Sequence, residues 1–226
     1  MKKTKYIFLG VTFLISFTCA LYVTMLVFPM NSFSKTKPES SVTGKIQDGD
    51  IIFQTSESSQ CEAVRIATKS KFSHCGIIFF TDDGKQLVLE AVQPVKVTPL
   101  EDWIKHGRDN KYVVKRLKNA ATILNAETLK KMKAYGNQFI GKEYDAYFEW
   151  TDNRIYCSEL IWKIYKSGAG IELCDLQELK DFNLEDERVQ KILKERYGSD
   201  IPLDEKVVSP SNLADSKLVI TVIDTY

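Results

Sequence analysis

The chain has 226 residues, 44% of them apolar and 27% charged, with a net charge of +1. That length and balance suit one globular domain with a real core and exclude a disordered chain. The near-neutral charge gives no electrostatic reason to expect a nucleic acid or a strongly acidic partner, so specificity has to come from a site.

From the N-terminus, Lys2, Lys3 and Lys5 precede an uncharged, mostly apolar run over residues 6–30. A cleaved secretory signal has an apolar core of roughly 7–15 residues, whereas a spanning helix needs about 20. Residues 1–30 are therefore read as a membrane anchor or signal segment, with the uncleaved anchor favoured. A weak cleavage site at Thr18-Cys19-Ala20 keeps the other option open, and Cys19 follows a poor lipidation context, Ser16-Phe17-Thr18. With the lysines kept inside, the rest of the chain is expected outside the cytoplasm, in a periplasm or at the cell surface. Residues 31–48, rich in Ser, Lys, Thr and Pro, read as a linker, and residues 49–226 as the domain.

The domain opens with a short apolar strand at residues 49–53. A helix is expected over residues 58–69, with Ser58 or Ser59 as its N-cap. Residues 72–80 and 86–92 are strand-like and flank a turn, which predicts a β-hairpin. Further strands at 95–99 and 112–117 are separated by a short helix at 100–106. Asn125 caps a helix running to about residue 140. A second amphipathic helix spans 157–167 and ends at Gly168 and Gly170, and a third spans 184–197. Ser209 starts a short turn or helix, and 218–223 is a last strand. Strands and helices are partly segregated, which predicts an α+β fold with a mainly antiparallel sheet packed against helices.

The hairpin carries the first chemical signal. With a three-residue loop at 81–83, His74 falls directly across from Glu90, and such neighbours have Cβ atoms about 4.5–5.5 Å apart on one face. A carboxylate there fixes the tautomer of an imidazole and stabilises its protonated form. A slip of one residue would separate the two, so the inference is breakable. Cys75 alternates to the other face and reads as a small buried residue, not as a thiol that His74 activates. His106 lies in a polar stretch and reads as a surface residue.

Cys157 is the best nucleophile candidate among five cysteines. It begins an apolar helix after the loop-like Thr151-Asp152-Asn153-Arg154. A helix N-terminus lowers a thiol pKa and offers backbone N–H groups, that of Cys157 included, to a developing oxyanion. Four cysteines follow the N-terminal segment, enough for two disulfides outside the cytoplasm; Cys61, Cys75 and Cys174 have no assignable pairing. No Cys-x-x-Cys pair points to structural zinc.

At these residues the chain resembles the YiiX-like permuted papain-type hydrolases, a branch of the NlpC-type cysteine peptidase superfamily. The resemblance rests on Gly49-Asp50-Ile51-Ile52-Phe53, Ser73-His74-Cys75-Gly76-Ile77-Ile78, Leu89-Glu90-Ala91, Thr98-Pro99-Leu100, Gly141-Lys142-Glu143-Tyr144-Asp145 and Tyr156-Cys157-Ser158-Glu159-Leu160. No one piece is specific; six in this order are, and they run from about Gly49 to the C-terminus. The resemblance implies a circularly permuted papain-like fold in which the sheet carrying His precedes the Cys helix. It implies Cys157 as nucleophile, His74 as base and then acid, and Glu90 as orienting group; Tyr144 and Tyr156 fall in matching motifs and either line the substrate site or serve as bulky core packing. Cys75 departs from the aliphatic residue expected there and adds a second thiol that can oxidise.

The implied chemistry is amide cleavage through a thioester on Cys157, without metal or organic cofactor, on a cell-wall peptide or another small amide. Two other readings stay open. One is a thiol acyltransferase or lipase acting on lipids at the membrane, as the permuted relative lecithin:retinol acyltransferase does. The other is a non-catalytic binding domain.

Overall fold

A computed structural model of the chain describes residues 46–226. The anchor or signal segment, most of the linker and Cys19 lie outside the described residues. Eight strands appear in chain order: β1 (Ile51–Gln54), β2 (His74–Phe80), β3 (Gln86–Glu90), β4 (Lys96–Pro99), β5 (Tyr112–Leu117), β6 (Gln177–Glu178), β7 (Lys206–Val207) and β8 (Val219–Asp224). The helices are α1 (Ser59–Thr68), α2 (Leu100–Lys105), α3 (Ala120–Ile123), α4 (Ala126–Asn137), α5 (Cys157–Ile164), α6 (Glu187–Tyr197) and α7 (Pro210–Ala214).

Six strands form one antiparallel sheet in the order β4-β3-β2-β1-β5-β8, and β6 pairs with β7 apart from it. Both faces of the sheet are covered, which explains why β1 is buried at all four positions. Alternation divides its side chains. Ile51 and Phe53 join Cys75, Ile77, Leu89 and Val113 in a core with Met132 of α4 and Leu160, Ile161 and Ile164 of α5. Ile52, Ile78, Val88 and Val114 face the other way, against Leu100 and Trp103 of α2. A third, smaller apolar cluster joins Ala63 of α1 to Val189 and Leu193 of α6.

Caps set the helix starts. Ser58 accepts from the Cys61 N–H at 3.1 Å, Asn125 from the Thr128 N–H at 3.0 Å and Ser209 from the Asn212 N–H at 3.1 Å, each satisfying one N–H that the helix leaves unpaired. The Asp50 carboxylate takes two 2.7 Å bonds from the Arg116 guanidinium and so ties the start of β1 to β5.

The hairpin differs from the sequence expectation in one instructive way. Its loop has three residues, as expected, but they are Asp82, Asp83 and Gly84, closed by a 3.0 Å bond from the Thr81 N–H to the Lys85 carbonyl. Gly84 has φ +80°. A three-residue hairpin loop needs one residue in that left-handed region, so the glycine belongs inside the turn. Moving the loop by one residue moves the pairing by two, and the observed register is Ile77 opposite Leu89 and Phe80 opposite Gln86. Continued by one pair, Glu90 faces Gly76 and is a diagonal neighbour of His74. An even slip preserves the face, so His74 and Glu90 still meet.

Candidate active site

His74 is the first residue of β2 and Glu90 the last of β3, so both stand where the β2–β3 ladder ends. Their side chains meet at 2.6 Å, His74 Nε2 to Glu90 Oε2, and both residues are buried. The other carboxylate oxygen, Oε1, accepts from the Thr98 hydroxyl at 2.6 Å. Trp103 of α2 stacks on the imidazole, with ring centroids 5.8 Å apart and planes 24° apart. Carboxylate, hydroxyl and indole together leave the ring little rotational freedom. Nε2 is committed to Glu90, which leaves Nδ1 for a further partner.

Cys157 stands beside it. It is the first residue of α5, buried and close enough to the imidazole that its sulfur is one of the groups raising the ring's pKa. Tertiary contacts fix the start of the helix. Ser158 Oγ donates to the Val208 carbonyl at 2.8 Å, and the Val208 N–H donates to the Tyr156 hydroxyl at 3.1 Å. Glu159 reaches back to accept from the Tyr156 N–H at 3.3 Å, the arrangement of a capping-box carboxylate. First-turn N–H groups of α5 have no intrahelical acceptor and remain available to an anion.

The electrostatics follow from these contacts. Burial would lower the His74 pKa, but the Cys157 sulfur and the Glu90 carboxylate outweigh it and raise the ring to about 10. Cys157 is held well below its ordinary value. Its hydrogen bond with the Cys75 thiol is the largest cause; burial opposes, and His74 and the Cys75 backbone N–H add to the lowering. Burial would raise the Glu90 carboxyl, but His74, Thr98 and Lys96 hold it down. All three shifts run toward the charged forms, a thiolate, an imidazolium and a carboxylate.

Cys75 is therefore more than filler. Alternation does send it to the face opposite His74, into the core that contains α5. Because Cys157 opens α5, the two sulfurs meet there. Burial first, and the neighbouring thiolate second, push the Cys75 thiol far up, so it stays protonated and donates. All four described cysteines, Cys61, Cys75, Cys157 and Cys174, are free thiols, so no disulfide forms among them. His106 is exposed, as expected.

The two tyrosines separate. Tyr144 borders the cleft beside Cys157, and its hydroxyl accepts from Gln60 Nε2 at 3.1 Å, leaving its own proton free. Burial and the Cys157 charge hold that phenol well above its usual pKa, so it is a donor at every relevant pH. Tyr156 is 2% exposed, packs edge-on against Phe148 and uses its hydroxyl on the Val208 N–H; its main contribution is to packing, with an edge on the same cleft.

Sequence reasoning missed Thr98, Trp103, Gln60 and the Cys75 contact. Thr98 had a signal: it is a polar residue on β4 opposite Val88, on the face that carries Glu90. Trp103 and Gln60 had none, because only the tertiary fold brings α2 and α1 to the site.

A family model of permuted papain-like amidase enzymes, YaeF/YiiX, the C92 family, matches residues 45–223. The chain belongs to this family. Membership makes it a papain-like cysteine hydrolase of amide bonds. The uncharacterized protein YiiX of Escherichia coli strain K12 is 46% identical over 176 residues, covering 78% of this chain and 85% of that one. A crystal structure of YiiX from Escherichia coli O157:H7 is similar with a TM-score of 0.76 and 44% identity, covering 80% of this chain and 99% of that one.

That structure is described as a metalloprotein. Among the described residues here, no group of three or more His, Cys, Asp or Glu side chains is arranged to hold a metal.

Proposed function

We propose that this permuted papain-like amidase works through a Cys157–His74–Glu90 triad and a thioester on Cys157. The observation that carries the reading is the buried 2.6 Å His74–Glu90 contact with Cys157 beside it at the N-terminus of α5, where sulfur and imidazole shift each other toward their charged forms.

In the first half-reaction the thiolate attacks the amide carbonyl carbon. The α5 first-turn N–H groups and the Tyr144 hydroxyl are the nearest donors for the oxygen as it gains charge. The C–N bond breaks, and the imidazolium gives its proton to the departing amine. In the second, neutral His74 takes a proton from water, the oxygen attacks the thioester carbon, and the acid leaves as the thiolate–imidazolium pair is restored. Glu90 keeps the proton on Nε2 throughout.

The site is proposed to lie outside the cytoplasm, tethered through residues 1–30, because three lysines precede an apolar run long enough to span a bilayer. Fusion of a reporter enzyme to the C-terminus, assayed for activity on either side of the inner membrane, tests that address. The catalytic reading is tested by intact-mass spectrometry during turnover of an activated amide. The expected result is an acyl adduct on Cys157 in the wild type and none in Cys157→Ser. Undiminished turnover by Cys157→Ala would end it.

A further inference from the structure

A second hollow, polar in its lining, lies on the far side of α1. Gln60, Val64 and Ala67 turn toward the Cys157 cleft between α1 and α6. Ser58, Glu62 and Arg65, spaced by four and three residues, share the opposite side of the helix. There they join Ser56, Glu57 and Arg108 around a hollow of ≈ 580 Å³, counted out to its mouth. Its charges do not all cancel. Glu57 is paired with Arg108 at 2.8 Å and Glu62 with Arg188 at 2.8 Å. The Arg65 guanidinium has no ion-pair or hydrogen-bond partner among the described residues, and its Nε is shut away from water with no acceptor. A desolvated, unpaired donor is costly to leave, so this fork is set for an anion that completes it. The Ser58 hydroxyl accepts from the Cys61 N–H at 3.1 Å and keeps its own proton to give. One unopposed positive charge with a hydroxyl beside it suits a single carboxylate.

The hollow adjoins the His74 side of the site. Gln54 stands directly opposite His74 across β1 and β2, so the two share a face. The Gln54 amide lies against Gly107, where an added Cβ would come within 2.5 Å of its Oε1. Arg108 follows, and its N–H donates to the Thr55 carbonyl at 2.8 Å. The Ser56 N–H donates to Ser73 Oγ at 2.8 Å, and Ser73 precedes His74. The surroundings of the imidazole are thus tied directly to the wall of the hollow. During acylation the acyl half stays on Cys157, while the imidazolium gives its proton to the departing amine. The amine half therefore leaves on the His74 side. Each residue beyond the scissile nitrogen carries its chain about 3.3–3.6 Å further, so the number of residues that leave sets how far its carboxylate extends toward Arg65.

We propose that the Arg65 guanidinium, with the Ser58 hydroxyl and Arg108 beside it, binds the carboxylate of the leaving half, so that the substrate is an amide whose amine half is an amino acid or a short peptide with a free C-terminus. The proton from His74 completes the new amino group of that product, and the water of the second half-reaction ends on the acyl product. The inference rests on the thioester reading of Cys157 and adds the class of amine that the reaction releases.

The test offers the purified full chain N-acetyl-L-alanyl-glycine and N-acetyl-L-alanyl-glycylglycine, each beside the same compound with a carboxamide for its terminal carboxylate, and measures the amine released. A charge-assisted contact should favour acid over amide roughly 10- to 100-fold in kcat/KM for at least one length. Arg65→Gln should bring that ratio near one, and Arg65→Lys should restore part of it. Because Arg65 has no partner to lose, urea unfolding of Arg65→Gln should match the wild type; a lowered midpoint with acid and amide slowed alike marks Arg65 as structural and overturns the proposal. Calorimetric titration of glycylglycine and glycylglycinamide into Cys157→Ser supplies a readout independent of turnover. The acid should bind at least roughly tenfold more tightly, and Arg65→Gln added to that variant should erase the difference. Equal rates for acids and amides overturn the carboxylate site, while acylation of Cys157 leaves the hydrolase reading standing. If no substrate acylates Cys157 and iodoacetamide fails to label it at pH 6, the hydrolase reading fails instead. Glycylglycine binding that depends on Arg65 then supports the hollow as a carboxylate site, and its absence overturns it.

Discussion

Gly76→Ala probes the spacing that brings His74 and Glu90 together. A Cβ added at Gly76 would lie 2.3 Å from Val88 Cγ1, 3.2 Å from the Leu89 carbonyl oxygen and 3.6 Å from Glu90 Cβ. Comfortable carbon contacts are about 3.5–4.0 Å, so the methyl overlaps Val88 by more than an ångström. Val88 is fully buried and β-branched, so it cannot swing clear. The Leu89 oxygen is backbone and cannot move without its strand. Relief has to come from β3 shifting away from β2, and Glu90 ends β3. Overpacking of this kind costs about 1–3 kcal/mol, while Ala in a strand regains about 0.5–1 kcal/mol over Gly. The net loss is about 1–2 kcal/mol. With a urea slope of roughly 1–3 kcal/mol per molar, the unfolding midpoint should fall by roughly 0.3–2 M. Activity should suffer more, since a misplacement of about 1 Å costs on the order of 100-fold. Adding Val88→Ala removes the methyl that the new Cβ meets, and it should restore hydrolysis while stability stays low. The assay pairs urea unfolding with hydrolysis of an activated amide. A Gly76→Ala protein with the stability and turnover of the wild type would refute the argument that strand spacing sets the His74–Glu90 contact.

Cys75→Val keeps the volume near constant but removes the S–H that contributes most to lowering the Cys157 pKa, so the pH profile of Cys157 alkylation should move to higher pH. Unfolding by urea should change little, and an unmoved profile would deny Cys75 its part. Glu90→Gln takes away a carboxylate that raises His74, so the ring pKa should fall from about 10 and turnover should drop by roughly 100- to 10,000-fold; NMR titration of the imidazole checks the first and steady-state rates the second. Glu159, buried and two residues beyond Cys157, has its carboxyl pushed up to about 8, because burial outweighs the Lys163 ammonium at 2.8 Å. A carboxyl raised on folding stabilises the fold fully below its unfolded value near 4.5, and that stability is lost as pH climbs through 8. Glu159→Gln should therefore flatten the decline in stability between pH 5 and 9, measured by urea unfolding across that range.

The elements were legible in the sequence wherever local chemistry decides them. Ser58, Asn125 and Ser209 announce helix starts through their side-chain oxygens, and β5 covers the same residues, Tyr112–Leu117, that read as a strand in the sequence. The His74–Glu90 pairing was legible as a face, since alternation survives any even slip. Its register was not, because the turn conformation that draws Gly84 into the loop depends on φ and not on hydropathy. The meeting of Cys157 with His74 came from helix chemistry and from resemblance. The second thiol at that point was hidden, because alternation says which face Cys75 takes but not which helix covers that face. Trp103 and the α1–α6 cleft lay further out of reach, as products of packing between segments far apart in the chain.

The charge state of Cys157 is the most direct measure of the whole account. Its rate of alkylation by iodoacetamide should be followed from pH 4 to 10 in the wild type and in His74→Ala. A thiolate paired with an imidazolium should react at nearly full rate in mildly acid solution, and the variant should lose that reactivity until the pH approaches the ordinary thiol range. A wild-type profile that rises only near an unperturbed thiol pKa, unaltered by His74→Ala, would contradict it.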